Sequence, residues 1–187
     1  MNKNLNISSC GPPSGGGILG RSSEPVLNLN FVTGFADAEA CFIIGVSQDS
    51  KINTGYRVKA MFQIHLHIRD TALLKELKSV LRVGSIYLGR RDVIIYSVTA
   101  ITDLEVIINH FDKYPLITQK WSDYQLFKHR VELIKRKEHL TITGLKKIVG
   151  IKAMMNGNGL SEKLKIAFPN VPLVARPEVP AQEINPN

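Results

Sequence analysis

The chain has 187 residues, 44% of them hydrophobic and 21% charged, which suits one domain with a real core and excludes disorder over most of its length. No run reaches the ~18 consecutive apolar residues of a membrane span, and two cysteines, Cys10 and Cys41, form neither a disulfide framework nor a C-x-x-C motif, which favours a reducing compartment. The formal charge of +8 belongs to residues 29–169, because Lys3, Arg21 and Glu24 before them and Arg176, Glu178 and Glu183 after them cancel; a basic body with near-neutral ends points to a polyanion, nucleic acid ahead of a membrane surface.

Residues 1–28 read as a flexible arm, since 8–20 (SSCGPPSGGGILG) has no periodicity and its glycines lack the Lys-Ser/Thr of a phosphate loop. Asn30 is a candidate cap for a short helix over 31–39. An apolar, β-branched strand over 41–47 and a polar turn at 49–55 follow. Residues 56–68 alternate: Tyr56, Val58, Ala60, Phe62, Ile64 and Leu66 fall on one face, and Arg57, Lys59, Met61, Gln63, His65 and His67 on the other.

Asp70 opens a helix carrying Leu73, Leu74, Leu77 and Leu81 at helical spacing. Strands over 84–88 and 93–99 flank a Gly-Arg-Arg-Asp turn, and helices are expected over 101–111, 120–140, 143–155 and 161–168. Trp121, Tyr124, Phe127, Val131 and Ile134 make a core stripe on the longest of these. Residues 171–187, with four prolines, read as a linker or tail. The order α-ββ-α-ββ-α plus C-terminal helices makes the fold class α+β on a four-stranded antiparallel sheet, as a single domain over 29–170.

Two features are candidates for chemistry. On the first helix, Gly34 and Ala38 leave a flat strip for close helix approach. Asp37 and Glu39 lie at its C-terminal end, where the helix dipole disfavours anions and calls for a lysine, an arginine or a divalent metal, unless the end frays and puts both acids in water. The polar face of 56–68 offers Arg57, Lys59, Gln63 and His65 with no acid among them, residue types that reach guanine, adenine or phosphate. Ser47 and Lys51 extend this face in one direction, and Ser85, Tyr87, Ser97 and Thr99 in the other, unless it is simply a solvated sheet face. His65 and His67 lack a third ligand at zinc spacing.

The run Val32-Thr-Gly-Phe-Ala-Asp-Ala-Glu39, followed by Ala40-Cys41-Phe42, resembles the signature of the LAGLIDADG homing endonucleases, in particular their fungal mitochondrial intron-encoded branch. Phe62-Gln63-Ile64, His67, the stretch from Lys113 to Lys120, Lys137-Glu138-His139-Leu140 and Gly159-Leu160-Ser161 extend the likeness over about 29–170, the N-terminal half of a two-repeat enzyme. The resemblance implies two signature helices packed through Gly34 and Ala38, with Glu39 and the Ala38 carbonyl binding Mg²⁺ for phosphodiester hydrolysis. It implies Lys120 as the active-site lysine and the four-stranded sheet as a saddle on double-stranded DNA. Ala40 stands where the family usually has glycine, a place that then requires a negative φ.

One repeat supplies one carboxylate where the mechanism needs two, so a second LAGLIDADG repeat is expected as a partner: a second copy, a separate half, or sequence beyond this piece. Intron homing in a mitochondrion, from an organelle-encoded gene, is the expected setting. The alternative is a maturase-like protein that binds intron RNA and assists splicing without using Glu39.

Overall fold

The structure, a computed structural model, describes residues 27–155, 159–172 and 174–181. The arm expected over 1–28 therefore lies outside the described residues apart from its last two. Helix α1 (Leu29–Glu39) starts two residues earlier than its sequence signal, because Asn28, not Asn30, is the cap: Asn28 Oδ1 accepts from the Asn30 amide at 2.7 Å. Leu27 before the cap and Val32 within the first turns both join the core, fixing the entry of the chain.

Strand β1 (Ala40–Gln48) follows without a loop. Ala40 ends α1 at φ −79°, so its methyl is unstrained, and it is buried in the core. Strand β2 (Tyr56–His67) pairs with β1 from Ala40↔Ile64 to Gln48↔Tyr56, and with β4 (Val93–Val98) from Phe62↔Val98 to His67↔Val93. Strand β3 (Ser85–Leu88) pairs with β4, giving the antiparallel order β1-β2-β4-β3. The alternation of β2 is realised as read: Ala60, Phe62 and Ile64 are buried, whereas Arg57, Lys59 and His65 face solvent.

The described helices lie on the side of the sheet that carries Phe42, Phe62 and Tyr96. A 3-10 turn (Ile68–Asp70) leads into α2 (Thr71–Leu81), which buries Leu74, Leu77 and Leu81; Asp70 makes no side-chain cap. Helix α3 (Ile101–Lys113) and helix α4 (Lys120–Lys135) surround the Phe42 ring with Phe111, Tyr124 and Phe127 at centroid distances of 5.8, 5.6 and 5.2 Å. The stripe from Trp121 is thus core, as its spacing implied.

Helix α4 is shorter than the 120–140 its composition suggested. Lys137 adopts a left-handed φ of 59°, and a 3-10 turn (Glu138–Leu140) reverses the chain into α5 (Ile142–Met154). The reversal is tight. Thr141 Oγ1 accepts from the Gly144 amide, and a Cβ on Gly144 would stand 2.0 Å from the Glu138 carbonyl oxygen. Helix α6 (Glu162–Ala167) closes a small second core of Leu145, Val149, Leu164 and Phe168 over Tyr56. Described residues from Val171 to Ala181 have no helix or strand. Arg176 in that stretch donates to Asp123 (2.7 Å), the Met154 carbonyl (2.9 Å) and the Gln119 carbonyl (3.2 Å).

Candidate active site and polar sheet face

The two acids at the end of α1 have opposite fates. Asp37 is buried and serves the fold: Oδ2 accepts from the amides of Ile117 (2.8 Å) and Thr118 (3.1 Å), and Oδ1 accepts from the Thr118 hydroxyl (2.5 Å). One turn earlier, Thr33 donates to the Tyr114 carbonyl at 3.1 Å and bonds the His110 ring at 3.0 Å. Burial depresses the pKa of His110. Thr33 and Asp37 together fasten α1 to the segment between α3 and α4. Sequence reading missed this clasp; its signal was two polar residues four apart on the otherwise apolar face of Val32 and Ala36.

Glu39 is exposed and makes no hydrogen bond or ion pair among the described residues. The cation that the helix end called for is Lys120, first residue of α4, whose Nζ donates to the carbonyls of Ala36 (3.2 Å) and Ala38 (3.1 Å). Its pKa is lowered, chiefly by burial, against the attraction of Cys41, Asp37, Glu39 and Asp123. The clasp sets this geometry, because Thr118 Oγ1, held by Asp37, also accepts from the Lys120 amide at 3.2 Å. Glu39, Ala38 and Lys120 are therefore brought together as expected, with one correction: frayed acids in water describe Glu39 alone.

On the other side of α1, Phe31, Gly34 and Ala38 are exposed, and a Cβ on Gly34 would meet nothing within 4 Å. A cleft of about 210 Å³ beside Gly34 is lined by Thr33, Asp37, Tyr114, Pro115 and Ile117, with Ile117 itself 59% exposed. An apolar helix face with a groove alongside is therefore left open to solvent.

Glu39 runs directly into the polar face of the sheet. Cys41 on β1 pairs with Gln63, Gln63 with Ser97 and Ser97 with Ser85, a row across all four strands. Gln63 bonds Ser97 Oγ (3.0 Å), Tyr87 Oη (3.2 Å) and His65 Nε2 (3.2 Å). Ser47 faces Arg57 at the far end of the β1–β2 ribbon, next to the turn that bears Lys51.

Two expectations for this face need correction, and one acid joins it from outside the strand: Asp49 in the turn ion-pairs with Arg57, and its pKa is lowered by the Lys51 amide and then by Arg57. Ser97 is only 5% exposed, so it supports Gln63 from beneath and does not project. Thr99 lies beyond the end of β4, exposed at a cleft it shares with Lys59 and Met61. Lys59 stands exposed without an ion-pair partner among the described residues.

The LAGLIDADG endonuclease family model matches residues 32–131, from the signature helix into α4. This chain belongs to the LAGLIDADG endonuclease family. Among LAGLIDADG structures, meganuclease I-CpaMI bound to uncleaved DNA is 48% identical, with a TM-score of 0.79 over 81% of this chain and 52% of that one. I-SmaMI, bound to an uncleaved DNA target in the presence of calcium ions, is 42% identical with a TM-score of 0.82, covering 85% of this chain and 54% of that one. "Probable intron-encoded endonuclease 3" of Neurospora crassa is 44% identical over 149 residues, 79% of this chain and 28% of that protein. The chain thus spans about half of these solved LAGLIDADG chains and under a third of that relative.

Proposed function

We propose that this chain is one half of a Mg²⁺-dependent DNA endonuclease, complete only when a second LAGLIDADG repeat packs against α1. The observation that carries the reading is the junction itself. A Glu39 carboxylate with no ion pair among the described residues, a lysine ammonium on the Ala36 and Ala38 carbonyls and the start of the polar sheet face meet at the end of α1. The open Phe31–Gly34–Ala38 face and its groove are what a second signature helix needs.

The residues fit half of a magnesium site. Carboxylate and carbonyl oxygens are the hard donors Mg²⁺ takes, Glu39 makes no hydrogen bond or ion pair among the described residues, and the Ala38 carbonyl keeps a second lone pair beside Lys120. When bound, such an ion supplies charge stabilisation and an activated water for phosphodiester hydrolysis. The chain's own contribution is to present Glu39 at a fixed helix end and to hold the Lys120 ammonium beside the scissile region, where it can stabilise developing negative charge.

The sheet face supports duplex binding. From Cys41 to Ser47 the β1–β2 ribbon extends roughly 20 Å, about half a turn of B-DNA, with Ser47, Arg57, Lys59 and Gln63 along it, Lys51 in the turn at one end, and His65, Ser85 and Tyr87 beside the other. The intron-encoded relatives support intron homing as the biological role, and those named for ND4 and cox1 introns support a fungal mitochondrion as its setting.

The test uses purified full chain, a pool of random-sequence duplexes and Mg²⁺, with mass measured by light scattering. Wild type should hold duplex DNA and cut only as a species with two repeats, and Glu39→Gln should bind without cutting. A lone monomer that cuts, or a Glu39→Gln variant cutting at the wild-type rate, would overturn the proposal. Retained RNA binding with neither DNA binding nor cutting would favour the splicing alternative.

A further inference from the structure

Glutamine reads adenine by presenting both ends of its carboxamide to one base edge. Gln63 has no such edge to spare. Its Nε2 donates to Ser97 Oγ at 3.0 Å and to Tyr87 Oη at 3.2 Å, while Oε1 lies 3.2 Å from His65 Nε2. To turn toward a base it would have to give up all three bonds. Ser97 beneath it is buried, whereas His65 and Tyr87 beside it are exposed. The strand register explains the cluster: His65 and Tyr87 flank Ile95 from opposite sides, and Gln63 and Ser97 form the next row.

We infer that Gln63 is a positioning residue that holds His65 as its Nε2–H tautomer, leaving His65 Nδ1 as an acceptor for the exocyclic amino group of cytosine or adenine. The inference rests on the DNA-facing role proposed for this sheet. Oε1 can only accept, so in this arrangement the proton sits on His65 Nε2 and the free imidazole nitrogen is an acceptor. The opposite arrangement is chemically defined as well. With the carboxamide turned, both hydroxyls would donate to Oε1, His65 Nε2 would accept, and Nδ1–H would select guanine or thymine acceptors instead. The two arrangements therefore make opposite statements about the base.

The first measurement needs no DNA. Nitrogen-15 NMR of the imidazoles at about pH 8.5, above the ordinary imidazole range, should give His65 of wild type as Nε2–H and His65 of Gln63→Leu as a mixture of tautomers. Because Gln63 lies on the solvent side of the sheet, the variant should keep the wild-type amide spectrum. Ser97→Ala, which removes the buried support alone, should shift the same signal partway. An Nδ1–H tautomer in wild type, or an unchanged His65 signal in Gln63→Leu, overturns the inference.

The second measurement is selection from random-sequence duplexes. His65→Ala and Gln63→Leu should each lose about tenfold or more of the preference at one and the same base pair, with no further loss in the double variant. Losses at different base pairs would make Gln63 a reader and overturn the inference. If wild type retains no duplex, the DNA-facing role fails, while the tautomer of the free protein still decides what Gln63 does.

Discussion

Replacing Asp37 tests whether the buried acid of the signature helix serves the fold and, through it, the lysine. Asp37→Ala removes three charge-assisted hydrogen bonds, those from the Ile117 and Thr118 amides and from the Thr118 hydroxyl. Such bonds contribute about 1.5–3 kcal/mol each, but Ile117 and Thr118 are exposed and regain water. The expected loss on urea unfolding is therefore about 2–4 kcal/mol and not the full sum. Asp37→Asn is the informative companion. Both amides bond the same oxygen, Oδ2, so an asparagine oxygen can keep them while its amide donates to Thr118 Oγ1. It should lose only the charge, about 1–2 kcal/mol. Because Thr118 also receives the Lys120 amide, Asp37→Ala should slow cleavage about 100-fold under conditions where it remains folded. Equal stability losses in the two variants, or a cleavage rate untouched by Asp37→Ala, would refute the clasp.

Lys120→Met should abolish cleavage yet leave the protein at least as stable at neutral pH, since burial opposes the ammonium. The folded pKa lies below the unfolded one, so the lysine's penalty is present at low pH and fades as pH rises toward the unfolded value; the variant's advantage should shrink along the same course in unfolding experiments. Arg130 is 0% exposed, none of its guanidinium nitrogens has a hydrogen-bond partner among the described residues, and burial pulls its pKa down to about 9. Arg130→Met should therefore stabilise the fold by on the order of 1–4 kcal/mol in urea, the gain diminishing above about pH 9. A Cβ on Gly150 would stand 2.1 Å from the Pro172 carbonyl oxygen, so Gly150→Ala should cost about 1–3 kcal/mol and expose the stretch after α6 to proteolysis.

What the sequence made legible follows a physical divide. Period-two and period-3.6 patterns report burial, and burial decided β2, α2 and the Trp121 stripe correctly. Helix ends depend on single hydrogen bonds, and there the reading slipped, placing the α1 cap at Asn30 and running α4 past Lys135. Nothing local in Lys-Arg-Lys breaks a helix; the break is seen only with the left-handed Lys137 and the close approach of Gly144 to the Glu138 carbonyl. The chemistry divided in the same way. The unfavourable charge at the end of α1 was visible as a need for a cation, but its supplier, Lys120, comes from 81 positions along the chain, and no periodicity links it to Glu39. Asp49 on Arg57 escaped because a turn residue was not assigned to a sheet face.

On the proposed pairing of two signature helices, the electrostatics of α1 would also tie association to cation binding. Lys120 at the start of α4 offsets the carbonyl pole of α1, yet Glu39, without an ion pair among the described residues, remains an anion at the face where a second helix would dock. Bringing two such ends together sets carboxylate against carboxylate, and like charges about 4 Å apart cost roughly 1 kcal/mol even in water. A divalent cation between them reverses the sign, so cation binding and association must strengthen one another by the same factor. Removing the charge should do in part what the cation does. In sedimentation equilibrium with chelator present, Glu39→Gln should associate with a second copy about fivefold more tightly than wild type, and Mg²⁺ should strengthen wild type but not the variant. If Glu39→Gln associates more weakly than wild type in chelator, Glu39 does not stand at the contact between signature helices.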